Sequence, residues 1–203
     1  MFALGLLLPL LPPGYQGPLP LTFAPRAQAP QSFRLESYEK LDSSDYSSKQ
    51  LLFVRSTKNP KVTGEIPLPA NASSGAPFSF EEASVAPNEL FLTLKRKVVA
   101  GTDEVFMYVR KGPATFVPFP DRSRDHSLNW WIVHKLGLPG GAKRPAANAE
   151  ANFVNVVGWN SDGSALTLDV NPVAADRGNG PWFEVTLNIR TRAVSPYRSI
   201  KLG

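Results

Sequence analysis

The chain holds 203 residues, with 22 Lys or Arg against 17 Asp or Glu, for a formal net charge of +5. Apolar residues make up 42%, too large a share for a disordered chain at so modest a charge. Cys is absent and the only two His are His126 and His134, which excludes disulfide scaffolds, thiolate metal sites and cysteine nucleophiles, and leaves no metal centre or other cofactor to expect.

The first feature along the chain is Phe2–Leu11, FALGLLLPLL. It is too short to span a bilayer as a helix, which takes about 20 apolar residues, but it suits the apolar core of a secretory signal peptide. Ala27-Gln28-Ala29 then supplies the small residues of a cleavage site. Against this, no Lys or Arg precedes the run and Pro30 would follow the cut. The expectation is a leader over 1–29 and a single β-rich domain over 30–203, exported to the periplasm or beyond. The alternative is a Pro-rich tail on a cytoplasmic protein. No later segment is apolar enough to cross a membrane as a helix.

From Phe33 onward the pattern has period two. Phe33/Leu35, Leu51–Val54, Leu90/Leu92/Leu94, Val105/Met107/Val109 and Leu166/Leu168/Val170 are short apolar or β-branched runs bounded by Gly, Pro, Asn and Asp, and such runs predict strands. Two hairpins are expected: Leu90–Val99 with Glu104–Lys111 across Gly101, and Ala165–Asn171 with Trp182–Arg190 across Gly178-Asn179-Gly180. Twenty prolines suit strand edges and turns better than helices.

One segment has helical spacing. Leu128, Trp131, Ile132 and Leu136 share a face, Asp125 or Ser127 stands ready to cap the start, and Gly137 with Pro139 marks the end. This predicts one helix over about 127–136, followed by a polar connection of small residues over 140–151.

A turn-to-strand motif recurs at Tyr46–Val54, Val85–Leu94 and Trp159–Leu168. The starts are separated by about 40 residues and by about twice that, the length scale of a four-stranded blade. GWNSDGSALTLDV (Gly158–Val170) resembles the strand–turn–strand element of Tol-type and WD-repeat-like β-propeller blades, in which an aromatic precedes Ser-Pro-Asp-Gly and an apolar strand. Ser161 replaces the proline, and the copies at Val85 and Tyr46 are degenerate. The resemblance implies a binding surface and transfers no catalytic residue. The expected fold is mainly β: antiparallel meanders forming an open blade-like sheet or β-sandwich, with the one helix packed on it.

Candidate chemistry is sparse. There is no Gly-x-Ser-x-Gly, phosphate-cradling glycine loop or HExxH stretch. A helical separation of eight residues from His126 to His134 would keep them from sharing a metal. Asp121-Arg122-Ser123-Arg124-Asp125 reads as the approach to a helix N-terminus. Trp130, beside Trp131, and Trp182, beside Phe183, each have a neighbour pointing elsewhere. Exposed near basic charge, they would suit a partner protein or a sugar ring.

Trp130, Trp182, Arg122 and Arg124 are therefore the candidate binding residues. The basic pairs Arg110-Lys111, Lys143-Arg144 and Arg190/Arg192 read as charges that blunt sheet edges. The excess of charge is too small for a nucleic-acid groove and suits an anionic cell-surface polymer better. The expectation is a non-enzymatic binding module for a protein or cell-envelope component. The alternative is a glycan or ester hydrolase using loop carboxylates around Asp121–Asp125 and Asp169–Asp176.

Overall fold

The apolar runs separated by turn residues fold into strands, and the strands into three meanders. The computed structural model describes residues 11, 13–24, 29–41, 48–69, 80–98, 102–123, 125–132, 134, 153–171, 182–194 and 198–200. The first meander is a four-stranded antiparallel sheet in the order β1 (Gln16–Leu19), β3 (Phe33–Leu41), β4 (Ser48–Ser56), β5 (Thr63–Glu65). The second contains β2 (Thr22–Phe23), β6 (Phe80–Val85), β7 (Phe91–Val98), β8 (Thr102–Gly112) and β9 (Thr115–Phe119). The third runs β10 (Phe153–Trp159), β11 (Ala165–Asn171), β12 (Trp182–Asn188), with β13 (Ala193–Val194) and β14 (Arg198–Ile200) both on β12. The second and third meanders form one ten-stranded sheet, joined by a parallel pairing of Phe153 with Asp103.

Both expected hairpins form. Val98 pairs with Thr102 in the first, and β11 pairs with β12 from Ala165↔Asn188 to Val170↔Phe183 in the second. Their glycine turns, Gly101 and Gly178–Gly180, lie outside the described residues, as does Tyr46.

The meanders stack through two cores. Phe33, Leu52, Val54 and Ile66 of the first meander and its approaches pack against Phe80, Val85, Leu92, Leu94, Phe106 and Tyr108 of the second. Val105 and Met107 pack on the opposite side against Val154, Leu166, Leu168, Val170, Val185 and Leu187 of the third. The middle of β8 is therefore apolar at every position, Val105-Phe106-Met107-Tyr108, because each of its faces belongs to a different core. Where β5 meets the β8–β9 turn there is no room for a side chain: a Cβ on Gly64 would lie 2.0 Å from the carbonyl oxygen of Ala114.

The helix predicted over 127–136 is described as far as Ile132 and at His134. It is α-helical over Leu128–Trp131 (α1), with a wider π-type turn at Ile132 and His134. Gly137, Pro139 and the 140–151 connection lie outside the described residues. Ser127 is the N-cap, its hydroxyl accepting from the Trp130 N–H at 3.2 Å, and Asp125 is not. Leu128, Trp131 and Ile132 enter the second core as their spacing requires.

The spacing does not explain Asn129, which is fully buried on the same short helix. Its amide accepts from Val105 N–H at 3.0 Å and donates to Asp103 C=O at 2.7 Å. One edge of β8 carries β9 along its second half and touches β10 at Asp103. Asn129 satisfies backbone groups left between them, standing in for a strand. The segment between the motif copies at Val85 and Trp159 thus holds β8, β9 and α1 rather than another copy.

Two strands fall inside the segment read as a leader. Gln16 and Leu19 pair with Glu39 and Ser37, and Thr22 and Phe23 pair with Glu82 and Ala83. Ala24 N–H bonds Ala83 C=O at 2.8 Å. No helix among the described residues is long and apolar enough to cross a membrane.

Candidate functional site

The second and third meanders meet through the very turns that the repeated motif marks. The β6–β7 turn brings Asn88 against the β10–β11 turn, where its Nδ2 donates to Asp162 C=O at 2.8 Å. Gly163 passes so close, at φ +71°, that a Cβ there would come within 2.4 Å of the Asn88 amide. Each turn is also tied internally: Asn88 Oδ1 accepts from Leu90 N–H at 2.9 Å, and Asp162 Oδ1 from Ser164 N–H at 2.9 Å. A hydrogen bond from the Ser164 side chain, and then the one from its N–H, lower the pKa of the Asp162 carboxyl from its ordinary value. Beneath the turns, Trp159 stacks on Phe91 with centroids 6.0 Å apart, and its indole N–H donates to Ser84 Oγ at 3.1 Å.

Beside this clasp lies a cleft of about 390 Å³. Its apolar lining includes Phe91, Phe119, Val109, Val117, Pro118 and Ile189. Phe91 and Phe119 meet edge to face at 5.6 Å, and Val109 opposes Val117 across the β8–β9 pair. The far wall is positioned by Ile189 N–H donating to Ser164 C=O at 2.9 Å and by Asn188 Oδ1 accepting from Thr191 N–H at 2.9 Å.

Four cations also line the cleft: Lys111 at the end of β8, Arg122 after β9, and Arg190 and Arg192 in the β12–β13 turn. All four are exposed. Among the described residues, none of the four has an ion-pair partner and no carboxylate lines the cleft. Arg122 and Arg192 have positive φ, 66° and 55°, and the Arg192 guanidinium lies over the Phe119 ring at 5.4 Å. By contrast, Glu36, Asp103, Glu104 and Glu89 are each neutralised locally by Arg55, Lys95, Arg96 and Arg110. The cleft thus combines four exposed cations, without ion pairs among the described residues, with an apolar surface that a ligand can cover.

Of the three candidate binding residues that are described, Arg122 lines this cleft and the two tryptophans do not. Arg124 lies outside the described residues. Trp182 begins β12, half-buried, and takes no part in the cleft lining. Trp130 is also half-buried, and its indole stacks with His126 at 3.7 Å and with His134 at 4.3 Å. The large exposed apolar side chains among the described residues are Leu19 and Leu90.

His126 precedes the helix rather than lying on it, and its Nδ1 sits 2.5 Å from Asp121 Oδ2. Asp121 also accepts from Ser123 N–H at 2.9 Å, shaping the turn that presents Arg122. Among the described residues, no group of three His, Cys, Asp or Glu is placed to hold a metal ion. Among the described residues, none of the loop carboxylates lines the cleft. Asp169 instead lies across from Glu184 in the β11–β12 pair, where burial and then the Glu184 charge raise its pKa, and Asp176 is outside the described residues.

The sequence displays the cleft cations as basic pairs near strand ends but not their convergence. In a meander, the end of β8, the start of β11 and the end of β12 come to one side of the sheet, and that follows only from the pairing.

No family model and no curated protein matches the chain. A similar solved structure is the β-propeller domain of the Trilobed protease from Pyrococcus furiosus, described as having an open velcro topology. The similarity has a TM-score of 0.46 at 10% identity and covers 84% of this chain. The chain spans 40% of the length of that one.

Proposed function

We propose that this chain is a non-enzymatic binding module that holds an anionic protein or cell-envelope component in the cleft between its second and third meanders. The observation that carries the reading is the set Lys111, Arg122, Arg190 and Arg192 beside an apolar lining, with no carboxylate among the described lining residues. Cations without partners raise the local concentration of anions and speed their capture. Export belongs to the same proposal, supported by the apolar run at the N-terminus. So does the assignment of the meanders to Tol-type or WD-repeat-like blades, supported by the equivalent turns of two motif copies meeting at Asn88 and Asp162.

Titration with labelled heparin and labelled polyglutamate, from about 50 to about 500 mM NaCl, tests the charge reading. Affinity for at least one polymer is expected to fall by about tenfold or more across that range. Failure of both to bind, or salt-independent binding, would overturn it.

A further inference from the structure

We infer that the occupant of the cleft is an acidic peptide segment carrying one aromatic or large aliphatic side chain; this rests on the binding-module reading and specifies its ligand. Three features point to such a ligand. First, the cations share the cleft with apolar groups: Lys111, Arg122, Arg190 and Arg192 line it together with Phe91, Val117, Phe119 and Ile189. A uniformly charged polymer would leave those apolar groups facing charge, whereas a peptide can set one apolar side chain on them and place carboxylates on either side. Second, three of the four cations are guanidinium groups, whose planar fork matches a carboxylate in two-point contact.

The third feature is how the ligand is barred from docking. β9 pairs with β8 on one edge, and Pro118 and Pro120 deprive it of backbone donors. Addition of the ligand as a further strand is therefore disfavoured, and recognition falls to side chains. The cleft volume of about 390 Å³ is near the lower end of ordinary ligand pockets. It suits one anchoring side chain and its neighbours rather than a long stretch of polymer.

The test uses the full chain and fluorescence anisotropy with three labelled probes: a peptide of Asp and Glu with one central Phe, the same peptide with Ala in place of Phe, and heparin. The Phe peptide is expected to bind about tenfold or more tightly than its Ala counterpart, the worth of one buried aromatic group. Arg190→Glu and Lys111→Glu, both at exposed positions, should each weaken the Phe peptide severalfold. Lys58→Glu, exposed on the β4–β5 connection away from the cleft, should leave it unchanged. Thermal melting of each variant confirms folding.

Equal binding of the two peptides would overturn the anchor and leave the anionic reading standing. Binding of heparin with neither peptide would replace the peptide by a polysaccharide, again sparing the parent reading. No binding of any probe would remove both.

Discussion

A single carboxylate shows how much this fold asks of its turns. Glu89 holds a positive φ of 55° and accepts from Gln31 N–H at 2.5 Å, from Ser32 N–H at 3.2 Å, from the Ser32 hydroxyl, and from Arg110 at 3.4 Å. Burial pushes its pKa up, but the hydrogen bonds from Ser32 and Gln31 and the Arg110 charge outweigh burial and leave it below the ordinary 4.5. Glu36 is likewise lowered, chiefly by its hydrogen bond from Arg55. A carboxyl that is more acidic in the folded state contributes stability above its unfolded pKa and loses it as pH falls through the folded one. Stability should therefore decline as pH drops below about 4.5. Glu89→Gln should cost about 1 kcal/mol at neutral pH, allowing for solvent screening, with the difference from the parent shrinking in acid; denaturant melts at several pH values would show it. None of this was legible beforehand. Glu89 stood in a degenerate turn copy where the resemblance offered Asp-Gly, and its partners lie 57 and 21 residues away.

At the scale of elements, the strands with clear alternation were readable. Leu92/Leu94 and Leu166/Leu168/Val170 appear where expected because one face of each is buried and the period is enforced by that face. The reading falters where an element serves two neighbours. β8 looked like a one-sided strand, yet both of its faces are covered. α1 looked like an amphipathic helix, yet Asn129 sits in its buried part. A buried amide among apolar residues was the available signal, and its reason lies in the unpaired edge of β8.

Asn129→Ala should destabilise the chain by about 2–3 kcal/mol, since Val105 N–H and Asp103 C=O would lose their partners in the interior. Asn129→Asp should restore only the acceptor half of the pair. Trp159→Ala should cost about 3 kcal/mol, from the lost stack on Phe91 and the bond to Ser84. A thermal melt matching the parent in either alanine variant would contradict these roles.

For the molecule as a whole, the N-terminal strands set a second measurable question. Cleavage after Ala29 would strip β1 from β3 and β2 from β6, leaving two strand edges unpaired. A chain beginning at Pro30 should melt about 5 °C or more below the full chain. An unchanged Tm would show that the two short strands contribute nothing to the fold, as a removable leader requires. The cleft belongs to this scale as well, and that is why it escaped the sequence: its cations come from three separate connections, far apart along the chain, and only the order of pairing unites them.

The strand with two covered faces has a final consequence. Since Val105 and Met107 serve one interior while Phe106 and Tyr108 serve the other, neither interior can dissolve without loosening the wall it shares with its neighbour. Backbone amides over 105–108 should exchange with deuterium only through global opening, and the outer meanders should not separate into independent cooperative steps. The middle strand thus makes one folding unit of what would otherwise be a loose pile of hairpins.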